Sequence, residues 1–288
     1  MFAIDRLILA ANRNRRTVNA RAVVTGAGSG IGRSFALELA RRGGDVVCVD
    51  INTARADATA STIIAAGGHA LSHTCDVADR SQMDQLAKVA EHYFGGPPSL
   101  VINNAGVGIG GRQVGDIGFK DWDWALGINL WGVVHGCEIF APLVRQSARG
   151  GIINVASAAG FAASPAMGPY NVSKAGVMAL SETLAAEASG TKLAVTVLCP
   201  TFVKTNVSVD GRITAAGRGL ADKLMAWTGI SPDSIAAETL DAHDLGRLYV
   251  VPQLDATVIW HLKRYFPTQY ARGAGLIGRL LPTESSTP

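Results

Sequence analysis

The chain has 288 residues, 48% of them apolar and 17% charged, a balance that excludes intrinsic disorder and leaves room for one large domain with its own core. A net charge of +3 is too small to direct the chain to nucleic acid or to a charged membrane. Cys48, Cys75, Cys137 and Cys199 show neither zinc-ligand nor disulfide spacing, so no metal is expected and the chain reads as a protein of a reducing, cytoplasmic compartment.

Residues 1–19 form an N-terminal extension. Ile4, Leu7, Ile8 and Ala11 recur at helical spacing, Asp5 and Arg6 precede the apolar run, and no small-residue cleavage site follows, which argues against a signal peptide. A short helix docked on the body is the plain reading; a membrane or partner anchor is the sharper one. No apolar stretch approaches the length of a membrane span.

From residue 20 onward, apolar β-rich runs alternate with helical stretches. Strands are predicted at 20–28, 45–51, 70–77, 99–106, 151–157, 193–200 and 245–252. The first helix, 31–42, places Ile31, Phe35 and Leu39 on one face and ends at Gly43-Gly44. Further helices are predicted at 54–68, 79–94, Trp122–Ser147 and from Tyr170 to about Gly190. Ser231 caps a helix with Pro232 at its first position, and 255–265 reads as a helix beneath the sheet. This rhythm predicts an α/β, Rossmann-type, doubly wound parallel sheet of about seven strands with helices on both faces, one domain over 20–288. Residues 201–230 break the rhythm: Leu220, Leu224, Met225 and Trp227 predict an apolar lid there. A basic, apolar tail follows over 265–288.

The segment TGAGSGIG, Thr25 to Gly32, joins the first strand to the first helix. Gly26 permits a tight turn, Gly28 and Gly30 let a pyrophosphate approach the backbone, and Gly32 lets the helix pack on the sheet. The backbone from Ser29 through Ile31 then offers free N–H groups at a helix N-terminus. Asp50, 18 residues beyond Gly32, ends the second strand and is followed by Ile51 rather than a cation. An acid there accepts hydrogen bonds from ribose hydroxyls and repels a 2′-phosphate, so NAD is expected over NADP. Arg33 is the nearby cation that could pair with a phosphate instead, and Asp50 is equally a solvated strand-end acid.

TGAGSGIG (25–32), Asp76-Val77, NNAG (103–106), Asn129, Ser157, Tyr170-Asn171-Val172-Ser173-Lys174 and Pro200…Thr205 occur in an order that resembles the short-chain dehydrogenase/reductase family across residues 20 to 205. The resemblance implies Asn129, Ser157, Tyr170 and Lys174 as the catalytic group. Ser157 would hold the substrate oxygen, Tyr170 exchange its proton, Lys174 tune Tyr170 and bind the nicotinamide ribose, and Asn129 help hold a water that relays protons to Lys174. It also implies cofactor contacts from Asp76, Val77, Asn103, Ala105, Gly106, Pro200, Val203 and Thr205. Two features depart from the family pattern. Thr201 stands where Gly is usual, so its backbone must avoid positive φ, and the common Asp-Gly-Gly ending is absent.

Tyr170 and Lys174 are four apart and so share a helix face. Forming phenolate at pH 7 costs about 4 kcal/mol. A cation roughly 4 Å away offsets about that much at an effective dielectric of 20. Such a pair alone is common on exposed helices and contributes about 0.5 kcal/mol or less; the glycine loop and Ser157 give it meaning.

The substrate pocket is expected from Val107, Ser157, Phe161, Met167, Tyr170 and Phe202. Its lack of charge predicts a neutral, apolar secondary alcohol or ketone, lipid-, steroid- or terpenoid-like. Two other readings stay open: an NADP-dependent biosynthetic ketoreductase, and a non-catalytic dinucleotide-sensing regulator on the same fold, which would be expected to lose the Tyr/Lys pair. The resemblance further implies a homodimer or homotetramer through helices 122–147 and 170–190, and no nucleic-acid partner. Peripheral membrane contact is a reading left open for both termini.

Overall fold

The computed structural model describes residues 15–203, 211–214, 219 and 229–279. Strand β1 (Arg21–Thr25) leads to helix α1 (Gly30–Arg41), followed by β2 (Asp45–Asp50), α2 (Thr53–Ala65), β3 (His69–Thr74), α3 (Arg80–Phe94) and β4 (Leu100–Asn103). The short strand β5 (Ile109–Gly110) precedes a long helix made of α4 (Phe119–Leu126), a π turn (Gly127–Trp131) and α5 (Gly132–Val144). Then come β6 (Gly151–Val155), α6 (Ala159–Ala162), α7 (Gly168–Glu187), β7 (Ala194–Leu198), β8 (Arg212–Ile213), α8 (Pro232–Asp244), β9 (Tyr249–Val250), α9 (Leu254–Tyr265) and α10 (Pro267–Gly278).

Three helices, α2, α3 and α8, start where side chains satisfy their free amides. Asn52 accepts from Arg55 N, Asp79 from Ser81 N and Gln82 N, and Ser231 from Ser234 N with Pro232 in the first turn. Seven strands pair in parallel in the order β3-β2-β1-β4-β6-β7-β9, a Rossmann-type doubly wound sheet. The order reverses between β1 and β4, where Val23 pairs with Val101. The loops leaving these two strands therefore diverge and open a crevice at their carboxyl ends.

Each sheet face carries its own apolar cluster. One holds Met83, Leu86, Phe140, Val144, Val177 and Leu184 from α3, α5 and α7; the other holds Phe35, Leu39, Ile63, Ile235 and Leu240 from α1, α2 and α8. All four cysteines are free and buried. The end of the N-terminal extension is pinned to α8: Arg15 reaches Asp241 and Asp244 at 2.8 Å each, and Thr17 Oγ1 donates to Asp244 Oδ2 at 2.7 Å.

Four sequence expectations change. The helix expected at Trp122–Ser147 runs from Phe119 to Val144 with a π turn inside it. By length and composition that helix could cross a membrane, contrary to the expectation of no such stretch, but Val133, Phe140 and Val144 tie it into the core. Helix α9 does not lie beneath the sheet. Trp260 packs edge-on against Phe161 at 4.8 Å, which puts α9 beside α6 at the carboxyl end. Within the expected apolar lid, Arg212–Ile213 instead forms a strand paired with Ile109–Gly110. Leu220, Leu224, Met225, Trp227 and the N-terminal Ile4, Leu7, Ile8 and Ala11 lie outside the described residues.

Candidate active site

The glycine loop turns at Gly26, whose φ of +64° an L side chain rarely adopts. Gly28 is needed for a reason beyond the expected one. A Cβ there would sit 2.7 Å from Asp50 Oδ2, so glycine lets the Asp50 carboxylate press against the loop. Gly28 N donates to Asp50 Oδ2 at 2.9 Å, and Asn52 N donates to Asp50 Oδ1 at 2.9 Å. A Cβ at Gly32 would collide with the Gly26 carbonyl and Asn104. Ser29 makes no side-chain cap and the first turn of α1 carries no acid, so this helix start suits an anion. The narrow glycine cradle, the uncapped helix start and the buried acid at the end of β2 fit a dinucleotide.

Asn103 is the clearest correction. Its side chain is buried in the interior, where Nδ2 donates to Asn154 Oδ1 at 2.9 Å and Asn154 in turn donates to Ser181. That amide chain joins β4, β6 and α7 and turns Asn103 away from the crevice. The neighbouring Asn104, left out of the expected site, serves the loop instead: Nδ2 donates to the carbonyls of Thr25 at 2.8 Å and Gly26 at 3.3 Å. Thr25 Oγ1 accepts from the amides of Asn104 and Ala105 at 3.0 and 3.1 Å. The second Asn of NNAG was the available signal for this clamp. Asp76 Oδ1 accepts from Ala78 N at 3.0 Å, and Val77 is buried with its carbonyl 2.9 Å from His135 Nδ1. Ile51 is 67% exposed beside Asp50, an apolar side chain presented at the rim.

Ser157, Tyr170, Lys174 and Asn129 come together on the other side of the crevice. Ser157 follows β6, and its hydroxyl donates to the Pro200 carbonyl at 3.3 Å and accepts from Ala159 N at 3.2 Å. Pro169 in the first turn of α7 leads directly into Tyr170. The Lys174 ammonium is buried, donates to the Val155 carbonyl at 2.9 Å and stands 5.8 Å from the Tyr170 ring centroid. A Cβ at Gly106 would lie 3.1 Å from Asn129 Oδ1 and 3.4 Å from Lys174 Nζ, so this glycine lets both groups approach.

The electrostatics differ from the expected pairing. Burial pushes the Tyr170 hydroxyl above its usual value, and a hydrogen bond with Ser157 pulls the other way. Burial also pulls Lys174 down to about 8, with nearby Cys199 opposing it. The ammonium is aimed at Val155 and the ring, so desolvation outweighs the attraction that i,i+4 spacing alone predicts.

Beyond Pro169 opens a cleft of about 300 Å³ between Ile109, Ile117, Ala166, Arg112 and Arg212. None of the expected wall residues lines this cleft, and its rim is charged: Arg212 reaches Asp121 at 2.7 Å and covers the Trp124 ring at 4.1 Å, while Arg112 stands 3.5 Å from Asp121. Among the expected wall residues, Val107 is held by Asn129, Phe161 packs on Trp260, and Met167 bridges Arg112. The Phe202 carbonyl accepts from Gln253 Nε2 at 3.0 Å, and Gln253 Oε1 accepts from Thr201 N at 3.1 Å. Gln253 was missed; it clamps the chain where the family pattern has glycine. Thr201 does not adopt positive φ. Val203 is buried and bridges Ile230, and Thr205 lies outside the described residues.

A family model described as short chain dehydrogenase matches residues 20–215. The chain is 38% identical over 231 residues to a protein of Mycobacterium tuberculosis named "Probable oxidoreductase EphD", covering 76% of this chain and 38% of that protein, so it spans well under half the length of that relative. It is 34% identical over 218 residues to the D-threitol dehydrogenase of Mycolicibacterium smegmatis, covering 75% of this chain and 82% of the relative. A crystal structure of a short chain dehydrogenase/reductase from Burkholderia phymatum in complex with NAD superimposes with a TM-score of 0.81 at 30% identity, over 95% of this chain and 99% of the other.

Proposed function

Since the chain belongs to the short-chain dehydrogenase/reductase family, and is thus an NAD(P)-dependent oxidoreductase, we propose that it interconverts an apolar secondary alcohol and its ketone, with NAD preferred over NADP. The observation that carries this reading is the meeting of Ser157, Tyr170 and buried Lys174 at the carboxyl end of the sheet, across from the glycine loop and Asp50.

Asp50 would accept hydrogen bonds from both adenosine ribose hydroxyls, and Ile51 would flank the adenine with Asp76 and Val77. The amides of residues 28–32 would face the pyrophosphate, and Ala105 and Gly106 leave room beside it. Lys174 and Tyr170 would hold the nicotinamide ribose, with Pro200, Val203 and Thr205 toward the carboxamide. Bound nicotinamide accepts or supplies the hydride. Ser157 positions the substrate oxygen and stabilises charge on it. Tyr170 takes the hydroxyl proton as the carbinol is oxidised and returns it on reduction, and the Lys174 charge favours the phenolate at that moment.

Phe161, Met167, Phe202 and Val107 support an apolar reacting end, while Arg112, Asp121 and Arg212 place charge at the outer rim. Trp131 and Val172 are exposed on the helices through which family members pair, which supports a homodimer or homotetramer. The four buried free thiols support a reducing, cytoplasmic setting.

A second reading, NADP preference, draws on Arg55, whose Cβ lies 2.5 Å from where a Cβ on Gly28 would stand, beside the ribose end. The deciding experiment measures initial rates with NAD and NADP on lipid-like, steroid-like and terpenoid alcohols beside small polyols such as D-threitol. Higher kcat/KM with NADP overturns the cofactor assignment. Turnover confined to polyols or charged hydroxy acids overturns the apolar substrate. Dinucleotide binding with no turnover of any alcohol or ketone favours the sensor reading.

A further inference from the structure

Helix α9 has two dissimilar faces. Inward, Ala256 is buried and Trp260 packs at 4.8 Å against both Phe161 and Tyr249. Outward, Leu254, Val258, Leu262 and Tyr265 fall on one helical stripe and are exposed, Leu254 at 80% and Tyr265 at 69%. Phe266 extends the stripe into α10, where Leu276 and Ile277 are each 62% exposed.

Helix α10 buries no residue fully, so tertiary packing adds little to its stability. Of the cations between Leu254 and Arg279, Lys263 is half-buried and Arg264, four residues beyond Trp260, shares its inward face; Arg272 and Arg279 are exposed, against the single acid Asp255. The surface also borders the reaction side of the molecule. Helix α9 packs on α6, and a Cβ at Gly278 would stand 2.8 Å from Pro165, so both helices touch the segment between Ser157 and Tyr170.

We propose that α9 and α10 together form a docking surface for an anionic lipid bilayer. Each helix has 12 residues, about 18 Å of length, too short to cross a hydrocarbon core of about 30 Å, so the pair lies in the plane of the interface. The apolar stripe enters the acyl boundary, and Arg272 and Arg279 meet lipid phosphates. A second copy of the chain fits this surface less well. A two-fold contact would set the same cations against one another with only Asp255 of each copy to offset them. The proposal concerns the surface alone and does not depend on which alcohol is turned over.

The test is co-sedimentation of the full chain, with NAD present, on vesicles of phosphatidylglycerol mixed with phosphatidylcholine and on vesicles of phosphatidylcholine alone. Binding about tenfold stronger to the anionic vesicles, and weakened by salt, is expected. Arg272→Glu with Arg279→Glu, both exposed, should abolish that preference. Val258→Ser with Leu262→Ser and Tyr265→Ser should lower binding at least about tenfold. Thermal melting of each variant reports folding, and the charge variant keeps the test decisive if the serine variant unfolds. Equal binding to both vesicle types, or none, overturns the proposal. So does a dimer in light scattering that the serine variant converts to monomer.

Discussion

Asn129 holds both polar groups of one residue's backbone: its Oδ1 accepts from Val107 N at 2.8 Å and its Nδ2 donates to the Val107 carbonyl at 2.9 Å. It does so from the π turn Gly127–Trp131, where an extra residue per turn redirects side chains that a regular helix would aim elsewhere. Asn129 therefore fixes the loop after β4 while its oxygen stays beside Gly106 and Lys174. Asn129→Ala leaves two half-buried backbone groups without partners and should destabilise the protein by about 1–2 kcal/mol, read as a lower urea midpoint. Because the loop borders the reacting groups, kcat should fall more than KM rises. An unchanged urea midpoint would remove the clamp from the account.

Tyr170→Phe keeps the ring and deletes the proposed proton carrier. Turnover should fall by about 10²- to 10⁴-fold, with NAD affinity lowered by about tenfold or less, as measured by steady-state rates and by titration of cofactor binding. Near wild-type turnover would show that another group moves the proton.

The strand-helix rhythm, the caps at Asn52, Asp79 and Ser231, and the crevice between β1 and β4 were legible because they follow from local spacing and short-range hydrogen bonds. What escaped depended on long-range contact. Which asparagine of NNAG turns inward is decided by Asn154 and Ser181, from strands and helices far along the chain. Gln253 is an ordinary polar residue until the fold brings it to Thr201 and Phe202. The π turn leaves the apolar pattern of the helix nearly intact, so periodicity reads straight through it. The Tyr170–Lys174 spacing was visible, but the burial that governs both groups was not.

Lys174 sets an alkaline limit. Burial lowers it to about 8, so it is charged at neutral pH and loses that charge above about pH 8. Ketone reduction, which on the proposed mechanism uses a protonated Tyr170 beside a charged Lys174, should decline through that range. Lys174→Arg should abolish this decline, since guanidinium stays protonated, though its larger head group lowers the overall rate. A reduction profile flat to about pH 10 would contradict the assignment.

Asp50→Ala removes the proposed acceptor for the ribose hydroxyls and the anchor of Gly28 N and Asn52 N. Hydrogen bonds to a charged group contribute about 1.5–3 kcal/mol, so kcat/KM with NAD should fall by roughly 10- to 100-fold. The rate with NADP should fall less or rise, because the carboxylate no longer repels the 2′-phosphate. The ratio of the two specificity constants is the measurement, and a ratio unchanged by the substitution would separate Asp50 from cofactor choice.

His243 makes stability depend on pH away from the reacting groups. It is fully buried on α8, its Nδ1 lies 2.9 Å from Thr196 Oγ1, and its Nε2 has no hydrogen-bond partner against Gly151. Burial lowers it to about 4, with Asp244 opposing and Arg16 reinforcing the shift. The unfolded chain binds this proton near pH 6.5 and the folded chain does not until about pH 4. The stabilisation is present in full above pH 6.5, falls by about 1.4 kcal/mol per pH unit below it, and levels off near pH 4 after a loss of about 3 kcal/mol. Urea unfolding of the protein and of His243→Leu between about pH 7 and 5 isolates the effect, because carboxylate titration contributes to both. The difference between the two should shrink as pH falls. Parallel stability curves would mean that His243 accepts its proton in the folded state.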